Sequence, residues 1–259
     1  MTARLVVEQA TVTYRQPGRG VLTAVDAVDL EVGAGEVVGL VGESGCGKST
    51  LARAVCGLEP LASGRILLEG EPIARLGLRS RDVRLRRIQM VFQNPYASLN
   101  PRRRVGAQIE DGRRVARGGT QSVAELLEAV GMDPGAATRY PHEFSGGQRQ
   151  RVAIARAMAV RPDLLIGDEP IASLDASLQS RVAALMRRVA LDNGASLLFI
   201  SHDLAVVRAI ADRIAVMREG RIVEQGPAER VWSAPEHPYT RRLLAAIPIA
   251  DGLGRLPAV

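Results

Sequence analysis

The chain reads Gly42-Glu43-Ser44-Gly45-Cys46-Gly47-Lys48-Ser49-Thr50 directly after the apolar run Val37-Val38-Gly39-Leu40-Val41. The first of these stretches fits the phosphate-binding pattern G-x-x-x-x-G-K-S/T. Its glycines allow successive backbone N–H groups to surround an anion, and a helix that begins near Lys48 points its positive dipole end at the same charge. Together they predict a strand, a phosphate-binding loop and a helix, in the order that an α/β nucleotide-binding fold requires.

Lys48 is the only lysine in the chain, and the other 33 of the 34 basic residues are arginine. A compact ammonium group fits inside a tight anion nest, whereas a planar guanidinium group does not. A Gly-rich turn that merely contains a lysine would not explain this exception. We therefore expect Lys48 to contact the outer phosphates of a nucleotide, and the Ser49 hydroxyl to bind Mg²⁺.

The composition is that of a globular protein, with 259 residues, 46% of them hydrophobic and 24% charged. No apolar run approaches the roughly 18 residues of a membrane span, and Glu8 and Gln9 interrupt the first apolar run, which argues against a signal peptide. We therefore expect a cytoplasmic protein. The net charge is +6, but the arginines are dense only in 79–87 and 102–117. This distribution favours a protein beside a membrane or an acidic partner over a nucleic-acid binder.

The pattern along the chain predicts an α/β core with a helical insertion at roughly 94–162. Segments 4–14 and 25–32 alternate apolar and polar residues, which predicts strands. Leu164–Gly167 and Ser196–Ile200 are fully apolar, which is typical of strands in a sheet that is covered on both faces.

Polar side chains follow three of the predicted strands, and they are the candidates for chemistry. Asp168 is expected to hold Mg²⁺ through water, and Glu169 to polarise the attacking water. Gln93 and His202 end or follow strands at the same edge, within reach of the metal, the water or the γ-phosphate. An acidic pair that only caps a strand and a structural histidine are the alternatives, and the phosphate loop in the same chain argues against them. Tyr14 either stacks on an adenine ring or belongs to the core.

Two further features concern the turn at Ser145–Gln148 and the two cysteines. Ser145-Gly146-Gly147-Gln148 either forms a second anion site at a helix N-terminus or is only a helix start. Cys46 and Cys56 predict neither a disulfide nor a metal site. Because Cys46 lies in the loop before a helix, we expect its thiolate to be favoured.

These motifs, in this order, resemble the ATP-binding subunits of ABC transporters over about residues 4–245. The resemblance identifies the Walker A motif (Gly42–Thr50), the A-loop aromatic (Tyr14), the Q-loop (Gln93), the signature (Phe144–Gln148), the Walker B motif (Leu164–Asp168) with its catalytic Glu169, the D-loop (Ser173–Asp175, with Asp175) and the switch histidine (His202). Phe144 and Gly167 depart from the usual residues, and neither change removes a functional group.

The resemblance implies an α/β P-loop NTPase, with a RecA-like core, an antiparallel β-subdomain and a helical subdomain. A single ABC ATP-binding domain spans 1–259. Its α/β core and β-subdomain take 1–93 and 163–226, its helical subdomain with the signature takes 94–162, and its C-terminal tail takes 227–259.

Val91–Pro101 and His237–Pro248 resemble the peptide/nickel importer group in particular. The implied function is ATP hydrolysis, with ATP and Mg²⁺, that energises import of a peptide or a nickel or metal-chelator complex. ATP would lie between the Walker A motif of one subunit and the signature of another. The implied partners are a second ATP-binding subunit, identical or different, two integral-membrane permease subunits and an extracytoplasmic solute-binding protein, at the cytoplasmic face of the cell membrane. No nucleic acid is expected.

The sequence argues against three further possibilities: an iron–sulfur cluster, a relative that acts on DNA or ribosomes, and a binding module without turnover. Many peptide-type members hold an iron–sulfur cluster in a cysteine-bearing tail, but no cysteine follows Cys56, so no cluster is expected. The short length of the chain favours the nickel-type branch slightly. Relatives that act on DNA or ribosomes usually carry a long coiled-coil insertion or two cassettes, which 259 residues do not accommodate. Glu169 and His202 argue against a binding module without turnover.

Overall fold

The computed structural model describes residues 3–18, 20–73, 83–93, 98–116, 121–171 and 176–247. The strands in these ranges are β1 (Ala3–Gln16), β2 (Gly20–Gly33), β3 (Val37–Val41), β4 (Ser63–Leu68), β5 (Glu71–Pro72), β6 (Ile88–Phe92), β7 (Leu164–Asp168), β8 (Ser196–Ser201), β9 (Arg213–Arg218) and β10 (Arg221–Pro227). The α-helices are α1 (Lys48–Val55), α2 (Val105–Val115), α3 (Val123–Ala129), α4 (Gly146–Met158), α5 (Ala176–Asp192), α6 (Leu204–Ile210), α7 (Ala228–Ser233) and α8 (Pro238–Ala245). Short 3-10 helices cover Val83–Arg87, Pro134–Thr138 and Pro141–Glu143. No helix in the described ranges has both the length and the apolar character that crossing a membrane requires.

The strands form two sheets, and the larger one brings the candidate residues together. An antiparallel sheet has the order β2-β1-β4-β5, and a six-stranded sheet has the order β10-β9-β3-β8-β7-β6. The β9–β10 hairpin is antiparallel, and the other neighbouring pairs of the larger sheet are parallel. Val41 pairs with Ser201, and Asp168 pairs with Phe92 and Ile200. The carboxyl ends of β3, β8, β7 and β6 therefore meet at one edge, where α/β sheets bind their ligands.

The larger sheet is covered on both faces, which confirms the prediction from its fully apolar strands. On one face Leu165, Leu197 and Phe199 belong to a buried cluster with residues of α4 and α5. On the other face Leu164 and Leu198 belong to a second cluster, with α1 and the antiparallel sheet. Because successive side chains of a strand point to opposite faces, no polar position is available inside these strands.

β1 and β2 are longer than the predicted 4–14 and 25–32. Their pairing shifts register near Gln9 and Ala27, which have φ angles of 46° and 47°. The Gln9 N–H donates to the Asp29 carboxylate at 2.8 Å, so the bulge leaves this donor satisfied. The two strands therefore continue to pair beyond the point where the simple alternation fails.

The described part of the segment between β6 and β7 is helical, as predicted. Ser122 caps α3, and its hydroxyl and backbone form a capping box with Glu125. The apolar face that the helical spacing predicts is buried in one cluster with the core side of α4. The residues at helical spacing in 123–130 and on the core side of α4 are Val123, which is partly buried, and Leu126, Leu127, Val130, Val152, Ile154, Ala155 and Met158, which are less than 5% exposed.

Candidate active site

The phosphate loop is held between two strands that lie far from it in sequence. At Gly42, with φ of 155°, a Cβ atom would lie 2.1 Å from the carbonyl oxygen of Met217 on β9. At Gly47, with φ of 111°, it would lie 2.2 Å from the carbonyl oxygen of Ala24 on β2. Only glycine fits these two positions, because the backbone conformation and the space both exclude a side chain.

Lys48 begins α1, and its ammonium group lies at the centre of the loop. The side chain is buried, and Nζ donates to the carbonyl oxygens of Gly42 and Glu43, at 2.8 Å each. The same Nζ lies 4.0 Å from Oε1 of Glu169. A phosphate oxygen that enters the loop would therefore meet a fixed positive charge with a third donor to offer.

Ser49 and Asp168 provide two oxygen ligands side by side. The Ser49 hydroxyl donates to Oδ1 of Asp168 at 2.7 Å. Burial raises the pKa of Asp168, and the Ser49 hydrogen bond opposes this effect. Within the described ranges no group of three or more His, Cys, Asp or Glu side chains could hold a metal by itself. This pair suits Mg²⁺, which prefers oxygen ligands and usually binds one or two protein groups together with phosphates and water.

Glu169 lies between Lys48 and His202. Its backbone adopts φ of 47°, a left-handed conformation that is uncommon outside glycine, and its N–H donates to the Ile200 carbonyl oxygen at 3.0 Å. Oε2 of Glu169 lies 3.4 Å from Nδ1 of His202, whose side chain is 56% exposed. The carboxylate is thus aimed at the space in front of the loop, where it can polarise a water molecule.

The remaining residues predicted for the site are Gln93, Tyr14 and Asp175. Gln93 directly follows β6 at the same edge and is exposed. Tyr14 pairs with Leu22, two residues before Ala24, and packs against the buried cluster that contains α1 and the antiparallel sheet. A role in stacking on adenine and a role in the core therefore both stay open. Asp175 and its D-loop lie outside the described residues.

The signature residues form the N-terminus of α4. Ser145 caps the helix, its hydroxyl accepting the Gln148 N–H at 3.3 Å while Gln148 Oε1 accepts the Ser145 N–H at 3.0 Å. Ser145, Gly146 and Gln148 are exposed, and Gly147 is half-buried. The predicted N-cap is therefore confirmed. In the described part of the chain, these hydrogen bonds stay within the turn and do not reach the phosphate loop.

The expectation of a favoured thiolate at Cys46 is wrong. Burial raises the pKa of the Cys46 thiol, although Nζ of Lys48 lies only 3.8 Å from its sulfur and acts in the opposite direction. Desolvation of the thiolate outweighs the effect of this neighbouring charge and of its hydrogen bonds. Burial also raises the pKa of Cys56 to about 12.

We expect Cys46 to react slowly with maleimide in the folded protein at neutral pH, because it is buried and protonated, and to react more slowly still with ATP present. Timed labelling with and without ATP, read by mass spectrometry, measures both effects. Cys46→Ser is the control, since it leaves Cys56 as the only thiol. Fast labelling, or labelling that ignores ATP, would contradict the placement of Cys46 in the nucleotide loop.

One contact of the loop was missed from the sequence. The Glu43 N–H donates to the hydroxyl oxygen of Tyr239 at 3.0 Å. Tyr239 lies on α8, in the stretch His237–Pro248. The sequence pattern of this stretch indicated a family resemblance and did not predict a contact with the loop. Nothing in its local pattern indicates a partner 196 residues away.

Comparison with known proteins gives a consistent set of relatives. A family model described as "ABC transporter" matches residues 25–172. The oligopeptide transport ATP-binding protein OppF of Bacillus subtilis (strain 168) is 48% identical over 242 residues, which cover 90% of this chain and 79% of that protein. A putative peptide import ATP-binding protein of Brucella abortus (strain 2308) is 50% identical over 239 residues, which cover 90% of this chain and 72% of that protein.

Solved structures share the fold. The cbiO1 protein from Clostridium perfringens, described as part of the ABC transporter complex cbiONQ, matches with a TM-score of 0.78 and 29% identity, over 90% of this chain and 92% of that chain. The ATP-binding cassette MJ0796, in a dimeric post-hydrolysis state bound to ADP and Pi, matches with a TM-score of 0.74 and 26% identity, over 86% of this chain and 98% of that chain. The predicted fold class is confirmed by these neighbours.

Proposed function

The chain belongs to the ABC transporter family of ATP-binding domains and is an ATPase, and we propose that its hydrolysis of ATP energises import of peptides through a membrane permease. The cluster at the carboxyl edge of the larger sheet carries this proposal. Glu169 lies 4.0 Å from Lys48 Nζ and 3.4 Å from His202 Nδ1, beside the Ser49–Asp168 pair. Phosphoryl transfer needs a phosphate anchor, a metal site and a group that orients the nucleophile, and this edge offers all of them.

We assign the binding of the phosphates to residues Gly42, Glu43, Ser44, Gly45, Cys46, Gly47, Lys48, Ser49 and Thr50. Lys48 would exchange part of its contact with the loop carbonyls for phosphate oxygens, because its ammonium group has three donors. Ser49 would bind Mg²⁺ directly, and Asp168 through water, with Gln93 as a further contact. The metal, when bound, neutralises charge on the β- and γ-phosphates.

Glu169 is assigned as the residue that polarises the attacking water. The hydrogen bond to Ile200 holds the backbone of Glu169, and the carboxylate lies 4.0 Å from Lys48 Nζ. His202 would contact the γ-phosphate, since its ring is exposed beside that carboxylate. Tyr14 is assigned to the adenine ring, and Asp175 to the contact between subunits.

The exposed signature turn supports a site that two subunits share. The turn is exposed, and the N-terminus of a helix that begins with Gly146 and Gly147 can bind an anion through its backbone N–H groups. The related cassette MJ0796 is dimeric in its ADP-bound form. We therefore propose that Ser145–Gln148 of a second ATP-binding subunit, identical or different, closes over the nucleotide held by Gly42–Thr50.

Peptides are the proposed cargo because the relatives at 48% and 50% identity are named for oligopeptide transport and peptide import. Nickel or a metal chelate is the alternative, which rests on the sequence pattern alone. Two permease subunits and an extracytoplasmic binding protein complete the proposed assembly, at the cytoplasmic face of the membrane. In this assembly 94–162 would act as the helical subdomain beside the core of 1–93 and 163–226.

A mixture of two inactive variants tests the shared site. Lys48→Ala removes the phosphate anchor, and Ser145→Arg obstructs the signature turn, so neither variant alone can form an intact site. Mixed dimers keep one intact site, formed by Lys48 of one subunit and Ser145 of the other. With random pairing, the equimolar mixture is expected to regain about a quarter of the wild-type ATPase rate.

Ser122→Arg is the matched control for this experiment, because Ser122 caps α3 with the same capping box and lies away from the signature turn. It loses a comparable cap and should keep its ATPase activity. A mixture that stays inactive while the wild type hydrolyses ATP would contradict the shared site. Uptake of labelled peptide and of nickel by the assembled transporter distinguishes the two cargoes.

A further inference from the structure

The segment that leads into α8 is anchored to the larger sheet by one carboxylate. Glu224 on β10 accepts the N–H of Glu236 at 2.8 Å and the N–H of His237 at 2.9 Å. Burial would raise the pKa of Glu224, but the hydrogen bonds that its carboxylate accepts hold the pKa below its usual range. Nδ1 of His237 then accepts the Tyr239 N–H at 3.1 Å and caps the helix. The position of α8 is thus fixed without the help of the Tyr239 hydroxyl.

The Tyr239 side chain is directed from α8 to the back of the phosphate loop. Its ring is buried, 2% exposed, and the guanidinium carbon of Arg218 lies 5.2 Å from the ring centroid. Its hydroxyl oxygen accepts the Glu43 N–H at 3.0 Å. A cavity of about 400 Å³ lies beside this contact, lined by both α8 and the loop. The hydroxyl thus makes its hydrogen bond to the loop beside an open space.

This contact acts on the same peptide unit that Lys48 binds. The Gly42 carbonyl and the Glu43 N–H belong to one planar group. Its oxygen accepts a hydrogen bond from Lys48 Nζ at 2.8 Å, and its N–H donates to Tyr239 at 3.0 Å. Glycine at 42 offers little resistance to rotation of that group. The orientation of the Gly42 carbonyl therefore depends on the hydrogen bonds at both ends of this peptide group. The position of the Lys48 ammonium depends on that orientation.

We propose that Tyr239 is a positioning residue for nucleotide binding: its hydroxyl holds the Gly42–Glu43 peptide so that the carbonyl faces Lys48 and the ammonium is set for the phosphates. This inference rests on the proposed nucleotide site. It also gives the C-terminal segment a role in the ATPase itself, because α8 carries the hydroxyl to the loop.

Tyr239→Phe tests the proposal, since it removes one oxygen and keeps the ring. Without its acceptor the peptide can rotate, and the loop must be ordered when ATP binds. Loss of one such hydrogen bond corresponds to a KM for ATP that rises about three- to tenfold, while kcat stays within about twofold. Steady-state ATPase kinetics of the full-length protein separate the two constants. Tyr140→Phe is the control, because Tyr140 stacks on His142 in the segment before α4 and should leave both constants unchanged.

Amide hydrogen exchange of residues 42–46 gives a readout that a purely structural role would not produce. We expect faster exchange there in Tyr239→Phe and unchanged exchange in the strands of the larger sheet. An unchanged KM, or a uniform rise in exchange across the protein, would overturn the positioning role. If the wild type neither binds nor hydrolyses ATP, the proposed function fails, and the exchange result still decides whether Tyr239 orders the loop.

Discussion

Glu169→Gln is expected to keep its affinity for ATP and to lose at least about a hundredfold in turnover, which is the lower end of what a general base contributes. The amide has the size of the carboxylate, so the left-handed backbone at φ of 47° and the bond to Ile200 stay as they are. The charge beside Lys48 and His202 is removed, and with it the ability to polarise water. Bound ATP should therefore persist and hold two subunits together.

Three measurements check this expectation. Equilibrium binding of ATP gives the affinity, and a steady-state assay gives the turnover, while size-exclusion chromatography with ATP detects the trapped dimer. Glu229→Gln is the control, since Glu229 is an exposed carboxylate that pairs with Arg208 on the surface. Hydrolysis at the wild-type rate in Glu169→Gln would contradict the assignment of Glu169 as the base.

Lys48→Arg is expected to lower the affinity for ATP by about 10- to 100-fold, although it conserves the charge, because charge-assisted hydrogen bonds contribute about 1.5–3 kcal/mol. Nζ lies 2.8 Å from two loop carbonyl oxygens and 3.8 Å from the Cys46 sulfur, and the residue is only 4% exposed. A guanidinium group is larger and planar, so it must displace the loop or leave the nest.

The matched control is Arg65→Lys, the reverse change on the exposed strand β4, where Arg65 pairs with Glu8. It should leave the affinity for ATP unchanged. Isothermal titration with ATP measures both variants, and a thermal melt of each checks that the fold is intact. Wild-type affinity in Lys48→Arg would contradict this prediction, because it would mean that the loop accepts a positively charged group regardless of its shape.

Local sequence pattern was sufficient to predict the elements that form the proposed phosphate site. Runs of neighbouring residues predict the strand before the loop, the start of the helix at Lys48, the strands at Leu164–Gly167 and Ser196–Ile200, and the cap at Ser145. All of these are observed. The sequence also predicts that Asp168 lies at the same edge of the sheet as the loop with Ser49, because the carboxyl ends of parallel strands are aligned. The two side chains are hydrogen-bonded there.

Other features depend on contacts that no local pattern records. β1 and β2 continue past their bulges because the Asp29 carboxylate of the opposite strand accepts the N–H at the bulge. The pKa of Cys46 depends on how deeply the loop is buried in the fold. Tyr239 reaches Glu43 from a helix near the other end of the chain. The roles given to Tyr14, Gln93 and Asp175, and the domain boundaries, stay predictions.

The position of β3 in its sheet has a consequence for synthesis on the ribosome. Both neighbours of β3, β8 and β9, come later in the chain, and β8 begins about 155 residues after β3 ends. At the usual rates of translation, this interval lasts roughly 8 to 30 seconds. Throughout that time the nascent chain exposes an apolar strand with two unpaired edges, a species that aggregates easily and needs protection by chaperones. The nucleotide loop can acquire its final shape only when the last third of the chain has emerged.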